Sequence, residues 1–539
     1  MAITCSNAFL KLINLISSIK NFYFSLVMPT EKLPSYKKYA LLIIAAFFIF
    51  RCALAATLEL GNDEAYYWLY SQHLQWNYFD HPPLVALWAR FFTANLLLEQ
   101  YELFLRLGSI VGCALSSWFL FKTVSTLHSE RAGFFAASLY NASFYAGLTA
   151  GLYLMPDSPQ MVFWTFCLWT IARISKDENK WSNWILFGIA AGLCIMSKVH
   201  GVFIPFGFGL FVLSKKRNWL KKPQLYVAFI LMLIIISPIL FWNIQYNFAT
   251  YSFHSKRVTV DETIIKVFSF LEEIFSQIVF NNPFNVALIV MALFALRHRR
   301  MKRQDALSIY QFIGLPLALI LLIVSLFRDT VLIHWSGPAY VSLLPLAAIY
   351  LAQINKLAVF PKMLKWSLGI FIMVAVLWAM MVNFYPGTFG QKNKDELGQG
   401  DITIDLFGWK EAGKQFAALY KKDVADGIVA TQTPLVCGYW WGAHSDYYFA
   451  RPLGIKMIGL GAMNQIRHYQ WTNNLRKDEV NMNSAYCIMP SDEKYDIPAA
   501  FYNKIELASI IEIKRAGRPA HNFNVYRLSG WKGPLTLSP

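Results

Sequence analysis

Charge is scarce in this sequence: Asp, Glu, Lys and Arg make up 15% of its 539 residues, against about a quarter in a soluble globular protein. With 56% hydrophobic content, that scarcity excludes an ordinary water-soluble chain and places it in a bilayer. Proline, glycine and serine accumulate nowhere, and neither an internal repeat nor a low-complexity linker divides the chain. Cysteines number seven and form no closely spaced Cys/His set, which argues against a structural zinc site. Cys52, Cys113, Cys167 and Cys194 read as small buried hydrophobes, while Cys437 and Cys487 lie in a polar part where pairing is open. Acidic residues are fewer than basic ones and leave a net charge of +17. The basic residues sit in short loops between apolar runs rather than on one soluble face, so nucleic acid is not an expected partner.

What is present in quantity is the long apolar run. Runs near the roughly 20 residues needed to cross the hydrocarbon core as a helix recur from residue 39 to about 384 and then stop. Eleven spans are expected, near 39–58, 103–121, 132–152, 158–174, 182–197, 199–214, 224–242, 283–296, 307–327, 333–353 and 365–384. Threaded alternately, they put Lys32–Lys38, Lys122–Arg131, Arg173–Lys180, Lys215–Lys222, Arg297–Arg303 and Lys356–Lys365 on one side. The positive-inside rule makes that side cytoplasmic. The other face then carries residues 59–102, the turns at Met155–Asp157, Ser197–Gly201 and Arg328–His334, the 243–282 segment and the C-terminal tail.

Three parts are expected. Residues 1–38 form a cytoplasmic or membrane-surface segment, of which the first 28, ending at a second methionine, read as signal-like or as an upstream extension. Residues 39–384 form the transmembrane domain, and 385–539 an α/β domain outside the cytoplasm. In that tail, Gly427–Gln432, Leu507–Lys514 and Asn522–Leu528 read as strands and Trp409–Lys421 as a helix. Tyr439–His444 is an aromatic cluster, read as domain core before sugar platform.

The first external loop holds the chemistry. It reads Asp63-Glu64-Ala65-Tyr66-Tyr67-Trp68, then Trp76-Asn77-Tyr78-Phe79-Asp80-His81-Pro82-Pro83-Leu84. Carboxylates directly after an apolar helix are expensive near hydrocarbon unless they have a partner or a function. Helix capping is one such function. Asn62 or Asp63 can cap a helix running to about Ser71, with Glu64 in its first turn, and this is compatible with catalysis. The aromatic residues suit an interfacial belt or sugar stacking equally. Lys198, between two apolar spans, needs either a phosphate partner or a path for snorkelling.

These residues carry a resemblance. The loop motifs, Pro156-Asp157-Ser158-Pro159, the Gly192–Gly201 stretch with Ser197-Lys198, and His334-Trp335-Ser336-Gly337-Pro338-Ala339-Tyr340 occur in order. The set resembles protein O-mannosyltransferase-like glycosyltransferases of the GT-C class, which includes the lipid A aminoarabinose transferases. The resemblance implies a polytopic α-helical fold of the GT-C type and transfer of a sugar from a polyprenyl-phosphate donor to an extracytoplasmic lipid, glycan or protein, with inversion. It implies Asp63 as general base, with Glu64 and Asp157 shaping the catalytic site. Lys198, His81, Arg257 and His334 become candidates for the donor phosphate, and Tyr66, Tyr67, Trp68 and Trp335 for substrate. Whether a cofactor is needed stays open; a divalent metal ion is the candidate, with Glu64 and His81 as its ligands. His81 stands where the aminoarabinose transferases typically carry lysine, a departure that puts that specific reaction in doubt. A bacterial inner-membrane location is expected, and the threading places the N-terminus in the cytoplasm. The competing class is a transporter or flippase of a lipid-linked sugar, against which stands the absence of paired interrupted helices.

Overall fold

The computed structural model describes residues 35–259, 264–298, 305–328, 333–493 and 500–533; the expected signal-like segment lies outside them. The chain forms two compact units, one from Met1–Ala56 with Arg106–Ala375, the other from Thr57–Leu105 with Val376–Pro539.

The first unit is helical. A helix stands at each of the eleven expected spans. Among the described residues, six helices are each long and apolar enough to cross a membrane, or seven spans if one bent pair is counted. That pair, Val267–Phe280 and Pro283–Arg297, bends by 100°. Asn282 makes the corner with a φ of 68°. Its side chain caps the second helix at Phe284 N and donates to the carbonyls of Ala142 and Ser367. Proline follows at the first helical position, where its missing N–H is harmless. The other expected spans coincide with shorter or more polar helices, Glu130–Ala142, Asp157–Lys176, Trp181–Ser197 and Phe203–Lys215. Glycine sets how closely two helices approach: a Cβ on Gly188 would lie 2.3 Å from the Ala228 carbonyl oxygen, and one on Gly192 2.8 Å from Ile235. Small residues four apart permit this backbone approach within a membrane.

The second unit is α/β. Its strands are β1 (Leu435–Cys437), β2 (Met457–Gly459), β3 (Ser484–Pro490), β4 (Tyr502–Arg515) and β5 (Arg518–Trp531), ordered β2-β1-β3-β5-β4. β1 runs parallel to β2 and β3, while β5 is antiparallel to β3 and β4. Two residues with positive φ, Ala516 and Gly517, turn the β4–β5 hairpin, as a tight hairpin compatible with strand twist requires. The Trp409–Ala425 helix buries Trp409, Ala412, Gly413, Phe416, Tyr420 and Asp423, a stripe at helical spacing. The expected strand at Gly427–Gln432 is instead a turn, because Gly427 takes a φ of 70° and the chain turns again at Thr431 and Gln432. Cys437 and Cys487 are both buried and unbonded.

One charged side chain ties the start of this unit to its sheet. Arg515, fully buried, donates to Asp401, Thr403 and the carbonyls of Val382 and Gly387 at 2.7–3.1 Å. The rings of Tyr385, Phe389 and Phe407 surround it. Burial of a guanidinium is tolerable only with its donors satisfied in this way.

Candidate active site

The loop after the first apolar helix folds as the helix Asn62–Gln72, then the short helix Leu84–Phe92. Gly61 is its N-cap, and Glu64 reaches back to accept the Gly61 N–H at 3.0 Å. Glu64 is therefore buried at 2% exposure, with one carboxylate oxygen committed to the helix start. Asp63 shares that first turn but stays partly exposed, so its carboxylate sits at the positive end of the helix dipole.

The C-terminal part of the same unit holds this turn from outside. Asp405 accepts the Asn62 N–H, both oxygens lying at 3.2 Å. The Leu60 N–H goes to the Tyr448 hydroxyl at 2.7 Å, and its carbonyl meets His444 Nε2 at 2.8 Å. Glu59 accepts from Trp409 N at 2.7 Å, and Lys410 pairs with Glu102 at 2.7 Å. Every backbone group from Leu60 to Asn62 that points away from the helix thus finds a partner 340 or more positions later. Burial, then the negative charges of Asp63 and Glu64, raise the Asp405 carboxyl to about 7; its side chain remains 47% accessible, so water screens part of that charge. Glu59 is also raised to about 7, chiefly by burial. His444 is pushed down to about 3 by burial and stays neutral.

Further along, Asp80 is buried and accepts from the hydroxyls of Tyr70 and Tyr66, with Arg467 at 3.6 Å. His81 lies edge-on to Tyr67, with ring centroids 5.5 Å apart. Tyr66, Tyr67 and Trp68 are all buried: Tyr66 accepts from His468 N, and Trp68 donates to Glu99 at 2.7 Å. Among the described residues no three His, Cys, Asp or Glu side chains come together as a metal-binding group, and Glu64 is turned to the backbone. Among the described residues this arrangement does not fit a metal.

The first unit contributes a second group. Asp157 opens its helix, fully buried, and accepts from Lys198 Nζ at 2.7 Å and from the Tyr145 hydroxyl at 2.8 Å. Lys198, 3% exposed, caps the C-terminus of Trp181–Ser197 in an extended conformation, so its ammonium also meets the negative end of that helix. It is directed inward to a carboxylate rather than outward to an interface. His200 and His334 lie within electrostatic range of this pair, and His200 packs edge-on against Trp335 at 4.8 Å. The side chain of Arg257 lies outside the described residues.

Sequence reasoning missed Asp405, Glu59, Tyr448 and His444 at the loop, and Tyr145 beside Asp157. No local pattern marks them, since each acts on a residue distant in sequence or, for Tyr145, which opens a π-helical segment, on one twelve positions later.

Residues 80–242 match the family of dolichyl-phosphate-mannose-protein mannosyltransferases. No curated protein sequence matches the chain. Among solved structures it is similar to ArnT from Cupriavidus metallidurans in the apo state, with 13% identity, a TM-score of 0.62, and 92% of this chain and 98% of that one covered. The same protein bound to undecaprenyl phosphate gives 12% identity and a TM-score of 0.62 over the same shares. The similarity in fold covers 92% of this chain, and the family match falls on residues 80–242 within it.

Proposed function

We propose that the protein transfers a sugar from a polyprenyl-phosphate carrier to a hydroxyl-bearing lipid, glycan or protein on the face opposite its basic loops, with Asp63 as general base. In this reaction the acceptor O–H gives its proton to the Asp63 carboxylate. Its oxygen bonds to the anomeric carbon, and the bond from that carbon to the phosphate oxygen breaks. The electron pair leaves with the phosphate, so no proton donor is needed at the leaving group, and a single displacement inverts the configuration.

The observation that carries this reading is the division of labour in one helical turn: Glu64 is buried and committed to the backbone, whereas Asp63 beside it is partly exposed. A partly exposed carboxylate at a fixed helix start suits proton abstraction, where position counts for more than strength. The Asp157–Lys198 pair supplies a cation held in place, and with His334 it is our candidate for facing the phosphate of the donor. Trp335 is the candidate for the sugar. Similarity to ArnT, which has been solved with undecaprenyl phosphate, supports the donor class.

Asp63→Asn keeps the size and the helix-start geometry but removes the base. The expected result is loss of transfer from a polyprenyl-phosphate sugar by at least about a hundredfold, with unchanged membrane insertion and thermal unfolding. Near-normal transfer by this variant would sink the assignment. Lipid extracts of cells with and without the gene name the donor, as the polyprenyl-phosphate sugar that accumulates in its absence.

A further inference from the structure

The helices Trp181–Ser197, Phe203–Lys215 and Pro223–Gln245 enclose a groove of ≈ 250 Å³. Phe187, Pro205, Phe208, Leu225, Phe229 and Met232 line it. It opens sideways, because Tyr226 and Phe229 on its rim are 53% and 52% exposed. The helix that carries them is the least covered of the apolar spans, with 22% of its window buried, so the groove faces lipid. Its floor is fixed by the contact of Gly188 with the Ala228 backbone, while a Cβ on Gly209 would meet nothing within 4 Å.

Directly beside the groove runs Lys215–Lys222, with five cations in eight residues and no acidic one. Two contacts join the two features. The Tyr226 hydroxyl donates to the Leu220 carbonyl at 2.8 Å, and Phe208 stacks on the buried Trp219 with centroids 6.0 Å apart. Lys222 is engaged by Glu178 at 3.1 Å. Lys215, Arg217 and Lys221 are exposed, with Arg217 Nε donating to the Leu213 carbonyl at 2.7 Å, and Lys216 lies over Trp219 at 6.0 Å. An apolar slot with a cationic mouth at one end matches a molecule with a hydrocarbon chain and an anionic head.

We propose that this groove is a binding site for an anionic glycerophospholipid of the leaflet next to the basic loops, one acyl chain in the slot and the phosphate at Lys215, Lys216, Arg217 and Lys221. The site is separate from the one proposed for the donor: Lys198 caps the opposite end of the Trp181–Ser197 helix, ten residues from Gly188, or roughly 15 Å along the axis. Charge selects the occupant, since a zwitterionic lipid fills the slot equally but leaves the four cations unanswered.

The test is native mass spectrometry of the full chain in detergent, titrated separately with phosphatidylglycerol, phosphatidylcholine and undecaprenyl phosphate. Phosphatidylglycerol should be retained about tenfold better than phosphatidylcholine, and should raise the thermal unfolding midpoint. Gly209→Phe, which fills open space, and the combined K215Q/K216Q/R217Q/K221Q variant of surface side chains should each abolish both effects while unfolding cooperatively without lipid. Equal retention of the two phospholipids overturns the proposal, as does wild-type binding by either variant. Displacement of phosphatidylglycerol by undecaprenyl phosphate, or a dimer that covers the groove and leaves no lipid bound, overturns it too.

Discussion

The pair formed by Asp157 and Lys198 permits a prediction in which stability and chemistry separate. Its side chains are 1% and 4% exposed and 2.7 Å apart, so removing one partner strands the other where water does not reach. Breaking a buried pair in this way costs about 3–5 kcal/mol. Lys198→Met leaves Asp157 the Tyr145 hydroxyl as its remaining donor, and one such bond returns about 1 kcal/mol. The net loss for Lys198→Met is then about 2–4 kcal/mol. Asp157→Asn keeps an acceptor for Lys198 but not its countercharge, and falls in the same range. The double variant removes both charges, and its loss should be smaller than that of either single change, because no unpaired ion remains. Unfolding of the purified chain in mixed detergent micelles, followed by circular dichroism, yields the three differences. Sugar transfer should stay low in all three variants if the lysine serves the donor phosphate, so the double variant regains stability without regaining activity. Single variants as stable as the wild type, or a double variant losing the sum of the two, would refute the argument that the charges depend on each other.

Further outcomes follow from the second unit. Asp405 and Glu59 hold their protons up to about pH 7 in the fold, well above the ordinary carboxylate range, so the folded chain binds more protons than the unfolded one. Their contribution is complete at about pH 4 and is lost as pH rises through about 7. The E59Q/D405N variant should therefore show a flatter fall in unfolding midpoint between pH 5 and pH 8, and an unchanged slope would count against the raised carboxyls. Asp405→Ala removes an acceptor of the Asn62 N–H, which should lower turnover more than donor affinity by loosening the turn that carries Asp63; an unaltered turnover rate contradicts this. Arg515→Met removes the countercharge of Asp401, which keeps Thr388, Phe389 and Thr403 as donors, and the guanidinium donor of two backbone carbonyls, and should destabilise the unit by about 3 kcal/mol, measured by protease resistance of the C-terminal segment. Wild-type resistance would mean that these bonds contribute little.

The helical unit was legible because its signal is local. An apolar run long enough to cross a bilayer must satisfy its backbone within itself, and a helix meets each of the eleven runs, although among the described residues six of them, or seven with the bent pair, are long and apolar enough to cross. The sheet was harder to read. β1 and β2 are three residues each and buried on both faces, so neither length nor alternation distinguishes them, whereas the long β4 and β5 span the expected Leu507–Lys514 and Asn522–Leu528. At Gly427–Gln432 the apolar residues suggested a strand, but glycine with positive φ broke it. The site divides in the same way. The Asp63-Glu64 pair stood out as charge beside hydrocarbon, and Asp157 and Lys198 as charge within it. The acceptors that hold the Asp63 turn did not, because Asp405 lies beyond the long apolar runs, where an acidic residue attracts no notice. In the aromatic cluster, Trp441 is buried, as the core reading expected.

The long-range clamp on the Asp63 turn has a consequence for the order in which the protein is made. Asn62 and Asp405 are separated by 343 positions, which at 5–20 residues per second is roughly 20–70 s of translation. Throughout that interval the loop has left the ribosome while its acceptors do not yet exist. A chain interrupted before residue 405 would contain the long apolar helices found among the described residues and the proposed base, yet lack Asp405, His444 and Tyr448. If Asp63 is the base, the last part of the chain to be made is what fixes it in place, and truncated products would carry that carboxylate without the partners of its turn.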